Sequence, residues 1–167
     1  LYQGPPTVFS ILPIEETRGT IANMSVIHTG TFVLYLGEDG WYLFDGAQSR
    51  AIGDDRVDAW FYERLNRSFN HRIYGVADTI NKVAFWAFPS TASALGTPDS
   101  IIMYNWGVDR WSYAEVDCEM LFRDLTYSYT MEGLGALGYN MDTLPASLDS
   151  DHWKGGLQQL SAFNTSK

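Results

Sequence analysis

The sequence predicts an all-β fold built from antiparallel four-stranded meanders, with one short helix between two of them. Three observations carry that expectation. Aromatic residues make up 15% of the 167 positions and charged residues only 19%, against roughly 25% charged in an average domain, and flat side chains pack well on pleated surfaces. Short apolar and aromatic runs are bounded by turns rich in Gly and Asp, the usual punctuation of hairpins. One segment alone, after Gly53, repeats its apolar residues at a convincing helical spacing.

The first unit covers residues 25–53. Ser25-Val26-Ile27-His28 and Thr31 to Leu36 read as its first two strands. Gly37-Glu38-Asp39-Gly40 then turns the chain into Trp41-Tyr42-Leu43-Phe44, and Asp45-Gly46 turns it into Gln48 to Ile52. A helix is expected over 54–66. Asp54 or Asp55 would cap it, because a short carboxylate accepts the N–H groups left open in the first turn. Val57, Trp60, Phe61 and Leu65 share one face of that helix, with Asp58, Glu63 and Arg64 on the remainder. Such a helix should lie over a sheet edge or against a neighbour. Its polar face is not basic, which argues against a membrane-surface anchor.

The second unit covers 71–116, with strands at Arg72 to Ala77, Lys82 to Phe88, Ser100 to Trp106 and Arg110 to Ala114. The loop from Pro89 to Asp99 divides it. A partial third unit occupies 118–167. It has a strand from Glu119 to Phe122, a helical turn weakened by glycines between Met131 and Leu137, and a last strand from Leu157 to Phe163. The first two units overlay: Tyr42 to Asp45 match Ile102 to Asn105, and Phe32 to Tyr35 match Val83 to Trp86. Without a gap, Arg50 falls on Arg110, which suggests a shared role in bridging a turn or stacking on a Trp. Four strands per repeat of roughly 40–50 residues is the pattern of β-propeller blades. The whole of 1–167 therefore reads as one β-rich region, and its opening at Leu1 suits the interior of a larger polypeptide.

Composition narrows the function. Eleven basic against twenty acidic residues give a net charge of −9, the wrong balance for neutralising nucleic-acid phosphates or for adhering to anionic membranes. No run approaches the roughly 18 apolar residues of a membrane span, and no signal peptide opens the chain. Cys118 is the lone cysteine, so an internal disulfide and a multi-Cys zinc site are excluded; a small buried apolar role is expected.

Several motifs occur together. Leu36-Gly37-Glu38-Asp39-Gly40-Trp41-Tyr42-Leu43-Phe44-Asp45-Gly46 is followed by Ile52-Gly53, Val57-Asp58 and Trp60-Phe61. Tyr104-Asn105-Trp106, Arg110-Trp111-Ser112, Leu144-Pro145, Ser147 to Ser150 and Trp153-Lys154-Gly155-Gly156 come later. This ensemble, from about Gly4 to Phe163, resembles structural proteins of tailed bacteriophages and prophages, similar to the tail-tube or nozzle components of short-tailed phages that carry β-propeller domains. The resemblance implies a non-enzymatic virion protein of the tail or neck. It would contact other virion subunits, in a homo-oligomeric ring, after assembly in the bacterial cytoplasm.

No constellation of reactive residues emerges beside that reading, so no catalytic, metal or cofactor residue is assigned. His28, His71 and His152 sit in unrelated segments without a nucleophile elbow. Asp149-Ser150-Asp151-His152 could offer oxygens to Ca²⁺ but lacks the glycine and distal Glu of a binding loop. Glu38, Asp39, Asp78 and Asp109 fall in predicted turns, where acids serve the backbone. Trp86, Trp106, Trp111 and Tyr113 could stack on sugar rings, which keeps a carbohydrate-binding or glycan-processing tail propeller as the alternative; packing within and between blades is the simpler role. With Trp60 and Phe61, the three tryptophans form the candidate binding or interface set.

Overall fold

The computed structural model describes residues 13–16, 18–138, 140, 142–147, 150, 153, 155–156 and 158–164. Two four-stranded antiparallel meanders and a two-stranded sheet dominate it. Sheet 1 runs β1 (Ile27–His28), β2 (Val33–Leu36), β3 (Trp41–Phe44) and β4 (Ser49–Ala51), in that order. Helix α1 (Asp58–Arg64) follows, then a 3₁₀ run over Arg67–Arg72. Sheet 2 runs β5 (Tyr74–Asp78), β6 (Val83–Phe88), β7 (Ser100–Asn105) and β8 (Arg110–Glu115). The last sheet pairs β9 (Met120–Leu125) with β10 (Gln158–Phe163), and α2 (Met131–Ala136) lies between them in sequence.

The all-β expectation thus holds, with both predicted meanders in place. Short polar side chains build the turns. Asp45, Asp78 and Asn105 each accept two backbone N–H groups from the residues two and three positions on, closing the chain where the strands must reverse.

The sheets stack in series. Leu34, Leu36, Trp41 and Leu43 of sheet 1 join Ala84, Trp86, Ile102 and Tyr104 of sheet 2 in one core. The opposite face of sheet 2, with Val76, Phe85, Ala87, Ile101 and Met103, packs with Leu121 of β9 and Cys118 in a second core. The direction of stacking follows from hydrogen-bond phase. In an antiparallel pair, residues that exchange both bonds alternate with residues that exchange none, and the side chains of each set share a face. Ile52 N–H bonds to Trp41 O, which places Trp41 and Leu43 in the bonded set of β3–β4. Val116 N–H bonds to Asp99 O, which places Ile101 and Met103, not Ile102, in the bonded set of β7–β8. Leu43 of sheet 1 therefore corresponds to Met103 of sheet 2. The face that sheet 1 turns toward sheet 2 is the face that sheet 2 turns toward β9. Same-sense stacking of this kind is how successive propeller blades meet.

The same register corrects one expectation. Arg50 pairs with Leu43, whereas Arg110 pairs with Asn105; the partner of Met103 is Ser112. The β3–β4 turn closes on Gly46 and Ala47, between Asp45 and Gln48. The β7–β8 turn is two residues longer, so the two arginines do not occupy matching places.

The core is aromatic. Trp41 lies 4.3 Å from Trp86, 5.1 Å from Phe61 and 5.9 Å from Trp111 between ring centroids. The indole N–H of Trp86 donates to Ser25 O at 2.8 Å, and that of Trp111 to Ile52 O at 3.1 Å. Each bond ties a sheet 2 side chain to backbone that flanks sheet 1, Ser25 in the 3₁₀ turn Asn23–Ser25 before β1 and Ile52 just after β4. Trp41 Nε1 is buried without a hydrogen-bond partner. Trp41→Phe should therefore cost only its lost packing, about 1–2 kcal/mol. Trp86→Phe should cost about 1–3 kcal/mol more, because a buried carbonyl loses its donor. Urea unfolding of the two variants checks this difference.

Candidate interaction surface

Helix α1 closes one end of the sheet pair, and the sequence around it explains how. The helix has Val57 at its N-cap, without a side-chain cap. Neither Asp54 nor Asp55 caps it, contrary to expectation: Asp55 sits in the left-handed region, at φ 56°. The carbonyl of Gly53 instead accepts the N–H groups of Arg56, Val57 and Asp58. Asp58, at the first helical position, reaches sideways and accepts Trp41 N–H at 3.2 Å. Gly40 and Gly53 leave the space for its carboxylate, since a Cβ at either position would overlap it. Phe61 then packs 4.9 Å from Phe88, and Tyr62 Oη donates to Gly37 O at 2.7 Å.

Burial, together with Asp54 and Asp39 nearby, pushes the Asp58 carboxyl up to about 6, although the Trp41 N–H works the other way. A raised carboxyl favours the folded state below its unfolded value near 3.8, and the advantage is lost as pH rises through 6. Half-burial leaves the carboxylate partly screened by water, so the effect is a fraction of the full shift. Asp58→Asn should keep the bond from Trp41 and flatten this share of the pH dependence. Relative to wild type, its melting temperature should be higher at pH 7.5 than at pH 4.5. Asp58→Ala, without an acceptor, should be less stable at both. Thermal melts at the two pH values separate the cases.

Of the five candidate residues of the sequence reading, two are fully buried and three are half-buried. Trp86 and Phe61 have no exposed surface. Trp111 is partly buried between Tyr104, at 4.6 Å, and the tryptophans. Trp106 is partly buried with its ring edge-on to Phe32 at 5.9 Å. Trp60 meets Tyr113 edge-to-face at 4.7 Å under the guanidinium of Arg64. Trp86 therefore has no ring face open to a sugar; it is an internal pin against the Ser25 backbone.

The polar groups are similarly occupied in holding elements together. Arg56 bridges to Asp109 at 2.8 Å, and Tyr104 Oη donates to the same carboxylate at 2.9 Å, joining the α1 entry to the β7–β8 turn. These partners hold the Asp109 carboxyl below its usual range, Arg56 most strongly. Asp99 accepts both Ser90 N–H and Ser90 Oγ–H. Asp39 accepts from Tyr42 Oη. A groove of about 530 Å³ lies along β8, lined in part by Arg64, Ser90, Asp99, Tyr113, Glu115 and Asp117. It is open, and Tyr113 spends its hydroxyl on Glu115. Cys118 is buried, and burial raises its thiol. Among the described residues, no group of three or more His, Cys, Asp or Glu is placed to hold a metal ion. Asp149, Asp151 and His152 lie outside the described residues. Among the described residues, no helix is long and apolar enough to cross a membrane.

Exposed apolar side chains are scattered over the turns and loops, and several also gather on the last sheet, which the sequence reading did not single out. Phe122 and Phe163 stack at 5.1 Å on the side facing away from sheet 2. Phe163 is 62% exposed, with Met120 beside it at 37%. The signal was present as alternation in Met120-Leu121-Phe122, where Leu121 is buried and its neighbours are not. No protein-family model matches the chain, and none of the curated proteins compared with it matches either.

Proposed function

We propose that the chain is a structural component of a tailed-phage virion, in the tail or neck, where it supplies contacts between subunits of an oligomeric assembly. The observation that carries this reading is the same-sense stacking of its meanders around an aromatic core. It joins the motif resemblance that runs from the Gly37 turn to the Trp153 segment. A part in a tail bears force and repeats around an axis, which calls for stiff units with surfaces left for neighbours. Trp86 and Trp111, each bonded from sheet 2 to backbone that flanks sheet 1, supply that stiffness. The acidic surface, at net −9, suits a protein beside a DNA conduit, because like charge keeps the duplex from adhering.

Immunogold labelling of purified particles, with antibody raised against this chain, tests the placement. Label at the tail or neck supports the reading; label on the capsid shell alone contradicts it.

A further inference from the structure

The strand edges of the molecule are not equally protected. β1 has two residues, and β4 has three with Arg50 at its centre. β8 has Arg110 and Glu115 at its two ends. β5 ends on Asp78, and β9 carries Arg123 and Asp124. Short or charged edges of this kind resist pairing with other chains. β10 differs. Gln158-Gln159-Leu160-Ser161-Ala162-Phe163 is six residues long, uncharged, free of proline, and paired only with β9 among the described strands. Leu160 is 37% exposed and Phe163 62%. A two-stranded sheet is marginal by itself, while added strands make a sheet self-supporting.

We propose that β10 is a docking edge for β10 of a second copy of this chain, in antiparallel register about a two-fold axis. This rests on the reading of the chain as a subunit of an assembly. The second copy is the fitting occupant for three reasons. Pairing in the order β9–β10–β10–β9 gives four strands, the number in both other sheets. An uncharged edge can meet itself, whereas two chains of net charge −9 repel along any acidic edge. A two-fold axis perpendicular to the sheet also puts both Phe122–Phe163 stacks on the same face of the joined sheet. Six residues of edge bury less than a standard interface, so the expected dissociation constant is on the order of tens to hundreds of micromolar.

Light scattering of the chain from about 1 μM to about 1 mM reads this association over the range where it should appear. Wild type should pass from monomer to dimer. Gln159→Lys with Ser161→Lys should raise the dissociation constant at least tenfold while leaving the circular dichroism unchanged. Added lysines lower the net repulsion between copies, so loss of dimer in this variant marks the edge and not overall charge. Single cysteines at Gln159, Leu160, Ser161 and Ala162 give an independent reading. One of them, lying at the two-fold, should oxidise to a dimer far faster than Thr79→Cys on an exposed turn. A wild type monomeric throughout, or no cysteine linking faster than the Thr79 control, overturns the proposal. A chain found in virions but lacking this pairing sinks the β10 contact alone. A chain that pairs through β10 but is missing from particles sinks the virion role alone.

Discussion

Trp86→Ala lowers the unfolding free energy by about 3–5 kcal/mol, the range for deleting a large buried aromatic. In a chain of this size that lowers the melting temperature by about 6–20 °C. Three losses combine at this one residue. The indole is fully buried and lies against Trp41 at 4.3 Å. Its N–H holds Ser25 O, and an orphaned buried carbonyl adds to the cost. Trp86 also lies between the two sheets, so the cavity opens where they meet and neither can close over it without moving the other. Calorimetry of the variant against wild type measures the drop; a change under about 1 kcal/mol would place the load elsewhere in the core.

Gly75→Ala should be the second large effect, at about 2–3 kcal/mol, from overpacking. Gly75 pairs directly with Trp86 across β5 and β6. A Cβ there would stand 2.7 Å from Trp86 Cδ1 and Nε1 and 2.9 Å from Ile27 Cγ1. Neither neighbour can give way, since Trp86 is pinned by its hydrogen bond and Ile27 is buried. The two substitutions must then be strongly non-additive. With Trp86 already alanine, only the Ile27 contact remains, so Gly75→Ala should cost less than about half as much, and a double-mutant cycle isolates the coupling. Equal costs in both backgrounds would mean that the strain of the added methyl falls on something other than the indole.

How far the sequence discloses this structure depends on the range of the interaction involved. The meanders were legible because alternation and Asp-Gly turns act over a few residues. Matching Leu34 with Phe85 and Leu43 with Met103 also agrees with the hydrogen-bond phase of the finished sheets. Arg50 and Arg110 were mismatched because a two-residue difference between hairpin turns cannot be seen until the strands are paired. The cap of α1 was misread for a similar reason. Asp54 and Asp55 have the right chemistry, but Gly53 O already receives the first N–H groups, and the carboxylate that matters, Asp58, turns to a strand seventeen residues away. The 3₁₀ run over Arg67–Arg72 carried no periodicity to announce it. Trp86 and Phe61 stood out as aromatics, but whether an aromatic serves the core or a surface is set by which sheet covers it, and that is a long-range fact.

The open edge of β10 belongs to the same class. Its uncharged run could be read from the sequence, but its significance appeared only when every other described edge proved short or charged. Rigid stacked sheets with one such edge agree with a protein made for contacts between subunits.

Peptide mass spectrometry of phage particles, purified from a culture that carries this gene, tests the central claim most directly. The account predicts peptides of this chain in intact particles, at a fixed ratio to the major tail proteins across preparations and after a high-salt wash. Abundant chain in the lysate with none in the washed particles would contradict it.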